Sequence, residues 1–150
     1  MLALVTGASS GIGLEYAKQL ARDYHTNLLL VSNQEEEQIR VTNQLTTTYG
    51  VKAYPLYADL SRQDAAEQLY QYCQDNHLVV DILVNNAGVF FFNPYCETSM
   101  KRIELMLNLH MITVAKLCRL FGEDMIHREL TAEEKAEKLC GKSRKKGYIL

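Results

Sequence analysis

Hydrophobic and polar positions come in blocks along this chain. Solid apolar runs alternate with longer stretches in which apolar residues recur every three or four positions. The first run is LALV, residues 2–5. A strand buried on both faces reads this way, because neither face meets water. Past the glycines at Gly7, Gly11 and Gly13 the period changes. Ile12, Tyr16 and Leu20 fall at helical spacing, with Glu15, Lys18 and Arg22 pointing elsewhere. The pattern predicts strand, glycine turn, helix.

The same alternation repeats. NLLLV, residues 27–31, reads as a second buried strand. A helix follows, opened by Glu35, Glu36 and Glu37 as the helix dipole favours. Its stripe is Val41, Leu45 and Tyr49, and Gly50 supplies the stop. Residues 51–60 form a third strand, in which Pro55 marks an edge or a bulge. The next helix takes Ser61 as its N-cap, with Asp64 three residues on. VVDILV is the fourth strand, and it ends in Asn85-Asn86-Ala87-Gly88.

From Ser99 to Phe121 the spacing predicts one long helix. Ile103, Leu107, Met111, Val114, Leu117 and Phe121 share a face, while Leu105, Met106, Leu109, Ile112 and Cys118 make other faces apolar too. Such a helix is expected to be covered on two sides, by the sheet and by a partner subunit. A separate amphipathic helix is predicted next, with a Thr131/Glu134 capping box and Gly141 as its end. The basic run KSRKKG leads into a fifth strand at Tyr148.

Strands alternating with helices predict an α/β fold, a Rossmann-like doubly wound parallel sheet cut short after the fifth strand. Residues 1–150 read as one domain, with an inserted helix at about 124–146. The first strand would be central, and the ligand crevice would open at its carboxyl end, where the glycines sit. There the free N–H groups and dipole of a helix N-terminus favour an anion such as a pyrophosphate. Gly7 and Gly11 would let it approach, Gly13 would let helix and strand pack closely, and Ser9 and Ser10 would add hydroxyl donors.

Composition narrows the partners. With 16 Lys and Arg against 18 Asp and Glu, the net charge of −2 gives no global reason to expect nucleic acid or an anionic membrane. Lys142, Arg144, Lys145 and Lys146 make one short basic run, read as part of a solvated excursion. The apolar runs are too short to span a bilayer. Met1 leads directly into the first strand, so no secretory signal is visible and a cytoplasmic location is expected. Cys73, Cys96, Cys118 and Cys140 form no C-x-x-C pair, and neither they nor the four histidines make a metal pattern; no metal is expected.

Thr6-Gly-Ala-Ser-Ser-Gly-Ile-Gly13, Asp59 after the third strand and the Asn85–Gly88 turn after the fourth together resemble the short-chain dehydrogenase/reductase family. The resemblance implies an oxidoreductase that transfers hydride between NAD(P)H and a carbonyl or alcohol substrate. It implies that Gly7, Ser9, Ser10, Gly11, Ile12 and Gly13 line the phosphates and ribose. Asp59, with Leu60 beside it, would take the adenine amino group, though Asp59 also reads as a cap of the following helix. Asn86, Ala87 and Gly88 would pass under the ribose, Asn85 would tie neighbouring strands, and Asn108 on the long helix would anchor a water in the proton relay. At the end of the second strand, Ser32 and Asn33 are neutral: no carboxylate excludes a 2′-phosphate and no basic residue requires one, so the expected cofactor is NADP or NAD, with the missing carboxylate favouring NADP.

The family's Ser and Tyr-x-x-x-Lys normally follow the fifth strand, and Tyr148 has no Lys four residues on. The expectation is therefore the cofactor half of a longer enzyme, inactive alone. The competing readings are a non-catalytic dinucleotide-binding remnant or sensor, and a dimerisation module built on the long helix. Phe90, Phe91 and Phe92, just past the Asn85–Gly88 turn, would border an apolar substrate, or else belong to the core or to an interface.

Overall fold

A computed structural model describes residues 1–139 and 148–149, with side chains through residue 128. The fourth cysteine, Gly141 and the basic run lie outside the described residues, as do the side chains of Thr131 and Glu134. Five strands, β1 Leu2–Thr6, β2 Asn27–Ser32, β3 Ala53–Tyr57, β4 Ile82–Val84 and β5 Tyr148–Ile149, form one parallel sheet in the order β3-β2-β1-β4-β5. The helices are α1 Gly11–Tyr24, α2 Glu35–Tyr49, α3 Ala65–Asp75, α4 Met100–Leu107 and α5 Thr113–Leu139. A π-helical turn, Asn108–Ile112, joins the last two. The predicted α/β, doubly wound, Rossmann-like arrangement is the one observed, with β1 central.

Successive strand residues feed opposite faces, as the pleat requires. Ala3, Val5, Leu28 and Leu30 pack with Ala17 and Ala21 of α1 and Val41 and Leu45 of α2. Leu4, Leu29, Val31 and Leu83 pack with Leu69 and Cys73 of α3 and Leu117 and Phe121 of α5. On that second face, Tyr70 donates its hydroxyl to Asp124 at 2.9 Å and sets its ring edge-on to Phe121. Burial first, and the Asp124 bond second, keep the Tyr70 hydroxyl protonated above the usual tyrosine range.

Pro55 does lie on an edge strand. Leu28 donates to Lys52 O and Ala58 donates to Ser32 O. With that two-residue period the missing N–H of Pro55 falls on the open side of β3, where no ladder bond is lost.

Four expectations are corrected. The buried face of α1 is Gly13, Ala17 and Ala21, whereas Ile12 is 72% exposed and Tyr16 43%. Residues with little or no side chain let the helix lie close on the sheet, which a stripe of larger ones would hold away. Ser61 does not cap α3; its N–H and hydroxyl both donate to Asp59 Oδ1, at 3.0 and 2.7 Å, and the helix starts only at Ala65. The buried stripe of the long helix is Leu109, Thr113, Leu117, Phe121 and Met125, while Leu107 and Met111 are exposed. The π-turn adds a residue to one turn and so rotates the face between α4 and α5. Finally, α5 runs unbroken to Leu139, so the separate helix predicted from Thr131 is its continuation.

Met100–Arg128 is also long and apolar enough to cross a membrane by length and composition, although the individual apolar runs are short. Within this fold it is the helix whose Leu117–Phe121–Met125 side covers the sheet.

Burial raises the Cys73 thiol to about 12. A neutral buried thiol adds stability that is complete below the ordinary cysteine range and is lost as pH rises toward 12. Iodoacetamide at pH 8 is expected to label exposed Cys96 in the folded chain and spare Cys73 until denaturant is added. Labelling of Cys73 without denaturant, read by peptide mass spectrometry, would contradict this packing.

Candidate functional site

The site grows out of two turns at the carboxyl ends of the central strands. After β1, Gly7 takes φ +65° and its N–H donates to Val31 O at 2.8 Å, turning the chain across β2. Helix α1 then starts, and its first helical bond is Leu14 N–H to Ser10 O. The N–H groups of Gly11, Ile12 and Gly13 precede that bond and so lack helical acceptors. A Cβ on Gly11 would meet nothing within 4 Å, so this helix end is open to an incoming group.

After β4, the Asn86 turn is fastened to the glycine turn. Asn86 Nδ2 donates to Thr6 O at 3.0 Å and Gly7 O at 3.2 Å. Thr6 Oγ1 accepts the Asn86 and Ala87 N–H groups, at 2.9 and 3.0 Å, and donates to Val84 O. The two turns are thus one hydrogen-bonded body, and Gly13 is seated beneath it: a Cβ there would lie 2.3 Å from Gly7 O and 2.4 Å from Asn86 Nδ2.

A cavity of about 260 Å³ opens beside this body. Of the sequence-predicted residues, Gly7, Ser9, Ser10, Asn33, Asp59, Leu60, Asn86, Ala87 and Gly88 line it. Gly11, Ile12 and Gly13 do not; they belong to the helix start just described. Asn108 is half-buried at the head of the π-turn, and its carbonyl accepts the Thr113 N–H. Its neighbour Leu109 lines the cavity. Asn85 turns its amide toward α5, donating to Cys118 Sγ at 3.5 Å, and its buried Oδ1 has no partner among the described residues.

Asp59 does not cap α3, which starts only at Ala65 behind Asp64. Oδ1 holds the Ser61 turn, and the residue also lines the cavity, where it is the one charged side chain among the described residues. Another part of the lining is a closed ring of neutral groups. Ser32 donates its hydroxyl to Ser9 at 2.9 Å, Ser9 donates to Gln34 Oε1 at 2.9 Å, and Gln34 N–H returns to Ser32 Oγ at 3.1 Å. Sequence reasoning missed Val31, Ala58, Val89 and Leu109 of the lining and, among its polar residues, Gln34. The Gln34 signal was present, a polar residue two positions past a strand that ends in Ser32, but only the fold brings Ser9 to it.

A parallel sheet with a glycine turn, an open helix N-terminus and a cavity at the carboxyl ends of its central strands is a doubly wound α/β arrangement, with its crevice where such sheets take their ligands. The sequence pattern of the short chain dehydrogenase family matches residues 1–132, and the chain belongs to that family. It is 32% identical over 127 residues to the probable oxidoreductase EphD of Mycobacterium tuberculosis, covering 85% of this chain and 21% of that protein. It is 32% identical over 131 residues to the very-long-chain 3-oxoacyl-CoA reductase of Anas platyrhynchos, covering 84% and 41%. Among solved structures, the short-chain dehydrogenase from Sphingobium yanoikuyae in complex with NADPH superposes with a TM-score of 0.79 at 26% identity, covering 85% of this chain and 49% of that one. L-sorbose reductase from Gluconobacter frateurii, complexed with NADPH and L-sorbose, gives 0.78 at 26%, covering 85% and 48%. The chain thus spans less than half the length of these relatives.

Proposed function

We propose that this chain is the cofactor-binding part of an oxidoreductase that moves hydride between NAD(P)H and a carbonyl or alcohol substrate. The observation that carries the reading is the open N-terminus of α1 beside the cavity, with the Thr6–Asn86 body fixing both turns. When bound, the nicotinamide ring supplies or accepts the hydride. The protein's own part is positional. The N–H groups of Gly11, Ile12 and Gly13, with the Ser10 hydroxyl, hold the diphosphate; the one proton of the Ser9 hydroxyl goes to Gln34 instead, and Gly7 makes room for Ala87 and Asn86 rather than for the ligand. Asp59 and Leu60 hold the adenine, and Asn33 stands with Gln34 at the ribose 2′ position. Asn86, Ala87 and Gly88 support the second ribose, and Asn108 holds a water near the reacting carbonyl. NADPH in the Sphingobium and Gluconobacter proteins supports this choice of ligand.

Residues 1–150 contain no Tyr-x-x-x-Lys pair, so for this chain by itself the reading is binding without turnover. Exposed Met100, Leu107, Met111 and Ile112 support a homo-oligomer formed through the 99–121 helix. Phe90 and Phe92, both exposed, would border an apolar substrate. A cytoplasmic location, with no membrane and no nucleic acid as partner, completes the reading.

Calorimetric titration of the purified chain with NADPH tests it. Saturable one-to-one binding that is competed by ADP-ribose is the expected result. Heat no greater than dilution, at NADPH concentrations up to several millimolar, would end the nucleotide reading.

A further inference from the structure

The ring of His110 lies against Gly88 and Val89, two residues that line the cavity, and none of the roles assigned above uses it. Its Nε2 lies 3.0 Å from the Val89 amide nitrogen and 2.9 Å from the Val89 carbonyl oxygen. The ring also occupies the space where a side chain on Gly88 would stand: a Cβ there would come within 2.7 Å of Cε1 and 3.3 Å of Nε2. Gly88, Val89 and Leu109 line the cavity. His110 and Leu109 share the π-turn that Asn108 opens. One side chain therefore joins the turn bearing Asn108 to the Gly88–Val89 backbone of the cavity wall.

The chemistry of the contact is specific to a group that can both accept and donate. A bare Nε2 accepts the Val89 N–H, and a protonated Nε2 donates to the Val89 carbonyl. In either form the backbone of Val89 is tied to the π-turn. Without the ring this segment is thinly held. Phe90 and Phe92 are 74% and 94% exposed, and the next ties to α4 are Arg102, stacked on Phe91 at 4.2 Å and bonded to Asn93 at 3.4 Å.

We infer that His110 is a positioning residue for the nicotinamide end of the cofactor: seated on Gly88 and bonded to Val89, it fixes the wall against which that ring rests, at a set distance from Asn108. This rests on the dinucleotide reading above. A reacting ring has to be held to within about half an ångström, and one missing hydrogen bond in the supporting wall is enough to loosen it.

The test compares two ligands that differ only by the nicotinamide, NADPH and 2′-phospho-ADP-ribose, titrated calorimetrically into the unsubstituted chain, His110→Ala and His110→Gln. His110→Ala is expected to weaken NADPH about fivefold, the loss of one ordinary hydrogen bond, and to leave 2′-phospho-ADP-ribose unchanged. His110→Gln, whose amide also donates and accepts at a similar reach, is expected to restore NADPH affinity. Equal weakening of both ligands, no weakening of either, or failure of the glutamine to restore would overturn the inference while leaving the nucleotide site intact. If the unsubstituted chain bound neither ligand, the nucleotide reading itself would fall, and the inference with it.

Discussion

Gly13→Ala is expected to cost about 3 kcal/mol of stability, at the upper end of what overpacking a dense site usually costs. The single added carbon would stand 2.3 Å from Gly7 O and 2.4 Å from Asn86 Nδ2. One of these atoms is backbone, so no rotamer change relieves it. The other could move only by giving up its bonds to Thr6 O and Gly7 O. Moving the Asn86 turn in turn pulls on the Asn86 and Ala87 N–H groups held by Thr6 Oγ1. For a chain of this size the loss corresponds to a fall in Tm of roughly 6–12 °C, and NADPH affinity should fall with it. Gly11→Ala is the contrast. It has open space around it, and its cost is the strain of a side chain at φ +57°, about 1–2 kcal/mol. Thermal unfolding followed by circular dichroism distinguishes the two. A Gly13→Ala chain melting within a degree of the original would show that helix and turns are not packed as described.

That contrast also marks how far the sequence could be read. The apolar blocks located β1, β2 and β4, because a strand buried on both faces leaves little choice of residue; edge strand β3, with Tyr54 and Tyr57 exposed, was located by its place in the alternation with helices, and the winding rule put β1 at the centre. The glycine spacing located the turn and, for Gly13, the close packing. It could not tell Gly7 from Gly11. One is hemmed in by Ala87 and Asn86 and the other faces open space, and that difference lies with residues some eighty positions away. Helix faces were harder. In α1 the larger side chains suggested the wrong stripe, since a helix drawn close to a sheet buries its smallest residues. In the long helix a period of 3.6 was carried through a π-turn that no residue announces. The cap at Ser61 failed because Asp59 competes for its hydroxyl, a contest between two good capping residues that spacing alone does not decide.

Cofactor choice turns on the same kind of long-range contact. Gln34→Glu is expected to move the ratio of NADPH to NADH affinity by about 30-fold in favour of NADH. The substitution keeps the shape and keeps an oxygen to accept the Ser9 hydroxyl, so the ring through Ser32 survives. What changes is the other end of the group: a donor NH₂ becomes part of a carboxylate. A carboxylate accepts a hydrogen bond from a ribose 2′-OH and repels a 2′-phosphate. Hydrogen bonds to charged groups contribute about 1.5–3 kcal/mol, and about 2 kcal/mol gives the 30-fold figure. Asn33→Asp adds the same charge one residue earlier. Asn33 has no side-chain hydrogen bond to fix it among the described residues, so its effect is expected to be smaller. Glu35, Glu36 and Glu37 follow on α2 but do not line the cavity, and no Lys or Arg lines it among the described residues. The unsubstituted wall is therefore neutral toward either ribose. Paired titrations with NADH and NADPH settle the order: if Asn33→Asp shifts the ratio and Gln34→Glu does not, the 2′ position is read by Asn33, and the Ser9–Gln34 ring serves the turn alone.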